Sequence, residues 1–172
     1  MARRKLFDRP VDKEMVERAK QVCREYTAAK RELLILEQDF ARLAKKRSME
    51  KNKVMRQLYL EKEQELQKAI MRDKETIQLF AAGEEFLEGK PREVILQRFL
   101  VGKGWEKIET CEGSAVKMSN GCVDHYLKVG YQMMGYGIQR YLAIQDKMMG
   151  SELQEFTLLF LSLDKAFQFF VP

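Results

Sequence analysis

The sequence predicts an all-α protein with an N-terminal antiparallel coiled-coil hairpin, a small helix-turn-helix domain and an apolar C-terminal helical extension. Three observations lead there. Met15, Ala19, Val22, Tyr26, Ala29, Leu33, Leu36, Phe40 and Leu43 follow one another at alternating steps of four and three. That is an apolar seam returning every 3.5 residues, which has to be covered by a second helix. No proline or glycine occurs between Pro10 and Gly83, so nothing there breaks a helix. Short apolar segments punctuated by glycine follow, and then a Phe-rich tail. The domain boundaries expected are 1–82 for the arm, 83–134 for the helix-turn-helix domain and 135–172 for the extension.

Helix one is expected from about Pro10, which suits a first turn, to about Lys45. Lys45, Lys46 and Arg47 then place positive charge at its C-terminus, where the helix dipole favours it. The next seam position is Arg47, where the apolar phase ends, so residues 46–52 read as a turn with Ser48 and Asn52 as possible caps. A single long helix is the rival reading, since no Gly or Pro marks that turn. Helix two is expected from about Lys53 to Phe80. Met55, Leu58, Tyr59, Leu66, Ala69, Ile70, Ile77 and Phe80 form a weaker stripe on it, interrupted by Lys62 and Asp73. Gly89 and Pro91 form the next boundary. Three short helices should follow: Pro91 to Val101, Trp105 to Cys111, and Ser114 to about Val129, the last capped by Ser114. Val94, Ile95, Phe99, Trp105, Ile108, Met118, Cys122, Tyr126 and Val129 fall at helical spacing for a shared core. Residues 131–137 read as an interrupted segment. A helix over Ile138–Met149 should end at Gly150 and Ser151, before a last helix over Glu152–Phe170. Its stripe of Leu153, Phe156, Leu159, Phe160, Leu163, Phe167 and Phe170 is core or a partner face.

The chain has 172 residues, 33% charged and 45% hydrophobic, which is not the composition of a disordered protein. Its net charge of +5 is unevenly placed. Residues 1–83 hold 21 basic and 14 acidic side chains, residues 84–150 nine of each, and residues 151–172 one and three. The positive excess thus lies on the arm. It either keeps a coiled-coil exterior in solution or attracts an anionic partner. Three scattered cysteines suit a reducing cytoplasm. No apolar run spans a bilayer, and the basic N-terminus lacks the apolar core of a secretory signal. No membrane partner is expected.

The stretch Arg92-Glu93-Val94-Ile95-Leu96-Gln97-Arg98-Phe99-Leu100-Val101-Gly102-Lys103-Gly104-Trp105-Glu106-Lys107-Ile108-Glu109, with Ser114 following, resembles the sigma-factor region-four helix-turn-helix. It is most similar to the version in phage late-transcription regulators of the ArpU/RinA type, which also carry a charged helical segment ahead of the motif. The similarity spans about residues 60–130 and is sharpest from Arg92 to Ile108. It implies a third helix lying in the major groove, with Ser114, Lys117, Ser119 and Asn120 toward DNA. Arg98, Lys103 and Lys107 would contact phosphate. The chemistry suits these roles, since Asn pairs bidentately with adenine and Lys reaches guanine or phosphate. The implied partners are DNA and RNA polymerase, and the arm implies a homo-oligomer. This reading helix departs from the pattern: it contains no Arg, Asp124 would repel phosphate, and Gly121 costs about 1 kcal/mol relative to Ala.

Nothing in the sequence forms a catalytic set. His125 is the only histidine. Cys122 and His125 are three apart on one expected helix, with no third group to orient them. The cysteines lack metal-ligand spacing, and Gly102-Lys103-Gly104 is too short for a phosphate loop. The expectation is a non-enzyme without metal or cofactor. A protein-interaction, scaffold or inhibitor module without nucleic-acid binding is the alternative. A third reading has the basic arm bind RNA or DNA without sequence preference through Lys45, Lys46 and Arg47. If the seam is buried, replacing Leu33 and Leu36 together by Ala should sharply lower the thermal unfolding midpoint; an unchanged midpoint would contradict it.

Overall fold

The computed structural model describes residues 7–102, 109–110, 116–117 and 119–168, with side chains described for 7–102 and 119–150. Four α-helices account for nearly all of it: α1 (Lys13–Met49), α2 (Lys53–Glu84), α3 (Gly89–Ile95) and α4 (Asn120–Gln168). A π-helical stretch, Leu96–Leu100, continues α3. β1 (Glu109–Thr110) and β2 (Val116–Lys117) form a two-residue antiparallel ladder in which Thr110 faces Val116. The chain divides into two compact units, Met1–Ile138 and Gln139–Pro172. No helix among the described residues is long and apolar enough to cross a membrane.

All nine seam residues of α1 are buried or half-buried, whereas the adjoining Leu34 and Ile35 are 62% and 58% exposed. The 3.5-residue seam thus marks the covered face correctly. It meets α2, and the pairs run in descending order: Arg18 with Glu75 at 2.6 Å, Glu37 with Lys74 at 2.8 Å, Arg47 with Glu63 at 2.7 Å. The helix ends differ from expectation. α1 begins at Lys13 and continues through Lys46 and Arg47 to Met49, because Arg47 keeps a seam position by bonding Glu63 instead of packing apolar surface. The connection is only Glu50–Asn52. Asn52 caps α2, its side-chain oxygen accepting from the Val54 and Met55 N–H groups at 2.9 and 3.3 Å. Ser48 stays inside α1 and donates to the Lys45 carbonyl.

α2 has a seam as regular as that of α1. Tyr59, Glu63, Leu66, Ile70, Asp73, Ile77 and Phe80 step by four and three, and each is buried or half-buried. Asp73 is one of the seam residues, not an interruption, although the apolar pattern alone marks it as one. Glu63 is satisfied by Arg47, but Oδ2 of Asp73 is buried without a hydrogen-bond partner.

Where α1 and α2 meet the rest of their unit, Tyr26 stacks on Phe80 with ring centroids 3.9 Å apart. Cys23 lies against Met134 of α4, Sγ to Sδ 3.3 Å. Val94 and Ile95 of α3 are fully buried, and Thr27 of α1 donates to the Phe99 carbonyl at 2.7 Å. Phe86 and Phe7 both meet the Tyr136 ring edge-on, and the Arg9 guanidinium lies 4.9 Å from its centroid.

Three expectations downstream of α3 are corrected. Glu109 and Thr110 are extended and not the end of a helix, and the third helix begins at Asn120, since Val116 and Lys117 are extended. Thr110 and Val116 are β-branched and pair across the ladder, a fit that favours strand over helix. Ser119 replaces Ser114 as the cap: its hydroxyl accepts from the Cys122 N–H at 3.4 Å, and its carbonyl from Cys122 and Val123. With that start, Val123, Leu127 and Met134 face inward, and Cys122 is exposed instead of joining the core. Trp105 and Ile108 lie outside the described residues. The third correction is that residues 131–137 and Gly150–Ser151 interrupt nothing, because α4 is continuous through both. Three glycines on α4 are sites of close approach. A Cβ on Gly130 would sit 2.7 Å from Ile95 of α3, one on Gly135 3.0 Å from the Met15 carbonyl of α1, and one on Gly137 2.7 Å from the Phe86 ring and against the Ala82 carbonyl of α2. The side chains of the Phe-rich stripe from residue 153 onward lie outside those described.

Two outcomes follow from this packing. Gly137→Ala should destabilise the protein by about 1–3 kcal/mol, as overpacking does, while Gly121→Ala, with open space around it, should be neutral or stabilising by up to about 1 kcal/mol. Paired thermal melts check both. Burial pushes the Cys23 thiol from 9.0 up to about 12. Its contribution to stability is therefore complete below pH 9 and lost as pH rises toward 12. In a Cys111→Ser variant, a disulfide reagent at mildly alkaline pH should modify Cys122 quickly and Cys23 only after unfolding; fast modification of both would contradict the burial.

Candidate nucleic-acid interface

The residues expected to meet DNA are distributed as follows. Lys103, Lys107 and Ser114 lie outside the described residues. Lys117 is in β2, with its backbone described. Ser119 and Asn120 are exposed at the start of α4. Arg98 is half-buried on the π-helical stretch. Its charge acts on Tyr131, whose hydroxyl is raised to about 12 by burial first and by Cys23 next, with Arg24 and Arg98 opposing the rise. The phenol therefore stays neutral, and Arg98 has a structural neighbour as well as a solvent-facing side.

The local sequence explains how the start of α4 is held. Pro91, Val94 and Ile95 are buried, and Gly130 lets Ile95 press against the α4 backbone. Gly102 takes φ +72°, a left-handed turn that suits glycine, and ends the π-helical stretch. α4 thus has its inner face fixed by Val123, Leu127 and Met134. Its outer face carries Gly121, Asp124, His125, Lys128 and Gln132, all exposed. Asp124 is bonded to Lys128 at 2.6 Å, one turn on. This pair cancels locally, so the repulsion expected between Asp124 and phosphate is offset on the same face. The helix N-terminus adds the partial positive charge of its free N–H groups.

His125 lines a cleft of about 730 Å³ together with Phe7, Arg9, Lys13, Glu17 and Val129. Its ring lies 5.4 Å from that of Tyr126. Among the described residues, no group of three His, Cys, Asp or Glu side chains is placed to hold a metal ion.

The strongest charge concentration lies at the far end of α1 and α2. Residues 42–56 hold seven basic side chains against one acidic, Glu50. Of these, Arg47 is committed to Glu63 and Arg42 reaches Asp39 at 3.5 Å. Met49, Val54, Met55 and Leu58 are exposed among them. Sequence reasoning identified Lys45, Lys46 and Arg47 but not that the connection gathers Lys51, Lys53 and Arg56 beside them. The signal was available, since the Asn52 cap places both helix ends within a few residues. Compared with known proteins, the chain matches no protein-family model, no curated protein and no solved structure.

Proposed function

We propose that the chain is a cytoplasmic transcription regulator of the phage late-gene type. It contacts DNA, RNA polymerase or both through the α3–α4 region, and α1 and α2 serve as a coiled-coil hairpin arm for dimerisation or docking. One observation carries the reading: α3 braces α4 from behind at Gly130, so that a polar, Ser119-capped helix start is presented to solvent beside the stretch resembling a sigma-like helix-turn-helix. A helix N-terminus with an amide side chain at its first position is suited to phosphate and to the adenine edge. The neutral charge of residues 84–150 supplies little phosphate neutralisation, so affinity draws on the basic end of the arm as well.

The exposed Met49, Val54, Met55 and Leu58 favour a second reading, a protein-interaction module without nucleic-acid binding, because apolar side chains gain nothing from phosphate. Mobility-shift titrations on phage promoter DNA separate the two. If the proposal holds, binding weakens steeply with salt, and Lys117→Ala with Asn120→Ala lowers specific affinity by about tenfold or more. Specific binding indifferent to that pair would overturn the assignment of the α4 start. Absence of DNA binding at low salt would overturn the DNA reading as a whole and leave the interaction module.

A further inference from the structure

One side of the α1–α2 pair carries two grooves of opposite character. On α1, Glu25, Glu32, Ile35, Arg42 and Lys46 are spaced by sevens, threes and fours, so they share a helix face. Nearer the start of α1 the groove is lined by Glu25, Glu32, Asp73 and Glu75 against Arg18 and Arg72, four acidic and two basic groups. Arg18 is already bonded to Glu75. Asp73 lines this groove with its side chain 4% exposed and Oδ2 unpartnered. A buried carboxylate oxygen without a donor is a strained arrangement unless a cation or donor completes it. Nearer the connection, the second groove has Leu43 and Leu66 with Arg42, Lys46 and Lys62 against Asp39 and Glu65, three basic and two acidic groups.

The two grooves are centred near residues 25 and 43 of α1, about 27 Å apart at 1.5 Å per residue. Between them on the same flank lies Ile35, which is 58% exposed beside the buried seam. Such an arrangement is self-complementary. A second copy laid antiparallel across this face, with the two-fold axis near Ile35, brings each basic groove onto the partner's acidic groove and packs the two Ile35 side chains against each other. We propose that this face is the dimer interface of the protein, and that its occupant is a second copy of the same chain. Arg42 and Lys46 of each copy meet Glu25 and Glu32 of the other, and their positive charge lies over the groove that holds Asp73. The interface is independent of whether the α4 start binds DNA.

The test uses the full chain in two charge-reversed forms, Glu25→Lys with Glu32→Lys, and Arg42→Glu with Lys46→Glu. None of these four side chains takes part in the bridges that join α1 to α2, so circular dichroism should report unchanged helix content. Sedimentation should find the wild-type protein dimeric at low salt. Each reversed form alone should dimerise at least about tenfold more weakly, since every contact then opposes like charges. An equimolar mixture of the two should recover the dimer, because reversed acidic grooves face reversed basic ones. A monomeric wild type, a dimer unaffected by either reversal, or a mixture that stays dissociated would each overturn the proposal.

Discussion

The thinness of α4 at Gly130, Gly135 and Gly137 is the constraint on which the unit up to Ile138 depends. Each of these positions touches a different element, α3, α1 and α2 in turn. A methyl group at Gly137 would meet backbone and an aromatic ring at once, so no rotamer change could relieve it. Close approach lets Met134 fill the space beside Cys23 and Gly83, and lets Ile138 become fully buried. Dense packing of this kind transmits any shift of α4 to all its neighbours. The backbone of α4 up to Ile138 is therefore held by three neighbours at once.

The interface between α1 and α2 is held by a different balance. Its apolar seam provides attraction without direction, and the charged side chains within and beside it supply the register. Arg47 with Glu63 places a bonded pair at the end near the connection, and Arg18 and Glu37 of α1 both reach the adjacent Glu75 and Lys74 of α2. Exposed bridges contribute little stability individually. A buried carboxylate that loses its partner costs far more, so a slipped register that separated Glu63 from Arg47 would be disfavoured. Asp73 has no such internal solution for Oδ2, which distinguishes it from Glu63.

Charge and scaffold are separated along this chain. The α3–α4 region is electrically neutral and shaped by packing, while the positive excess sits at the end of the arm. A protein that reads DNA with a neutral element needs charge from elsewhere, and an arm that dimerises brings two basic ends into one particle. The salt dependence of any complex would then report on the arm, and its sequence preference on the start of α4.

Periodicity by itself determined α1 and α2 and the buried face of α1, because a 3.5-residue repeat leaves a helix one way to cover its apolar side, whereas the unbroken length of α4 was not legible in it. It also contained the seam of α2, where the charged Glu63 and Asp73 occupy positions that an apolar pattern leaves blank. The cap at Asn52 was likewise legible, since its side chain bonds its own neighbours in the chain. Glycines could not be interpreted in this way. A glycine that ends a helix and one that admits another helix look alike in a sequence, and only the contacts of α4 showed that Gly135 and Gly137 admit neighbours. The start of α4 at Asn120 instead of Ser114 was also beyond helix propensity, since Val116 and Lys117 are held in a strand ladder. Thr110 pairs with Val116 across only five intervening residues, but helix propensity carries no information about a cross-strand partner.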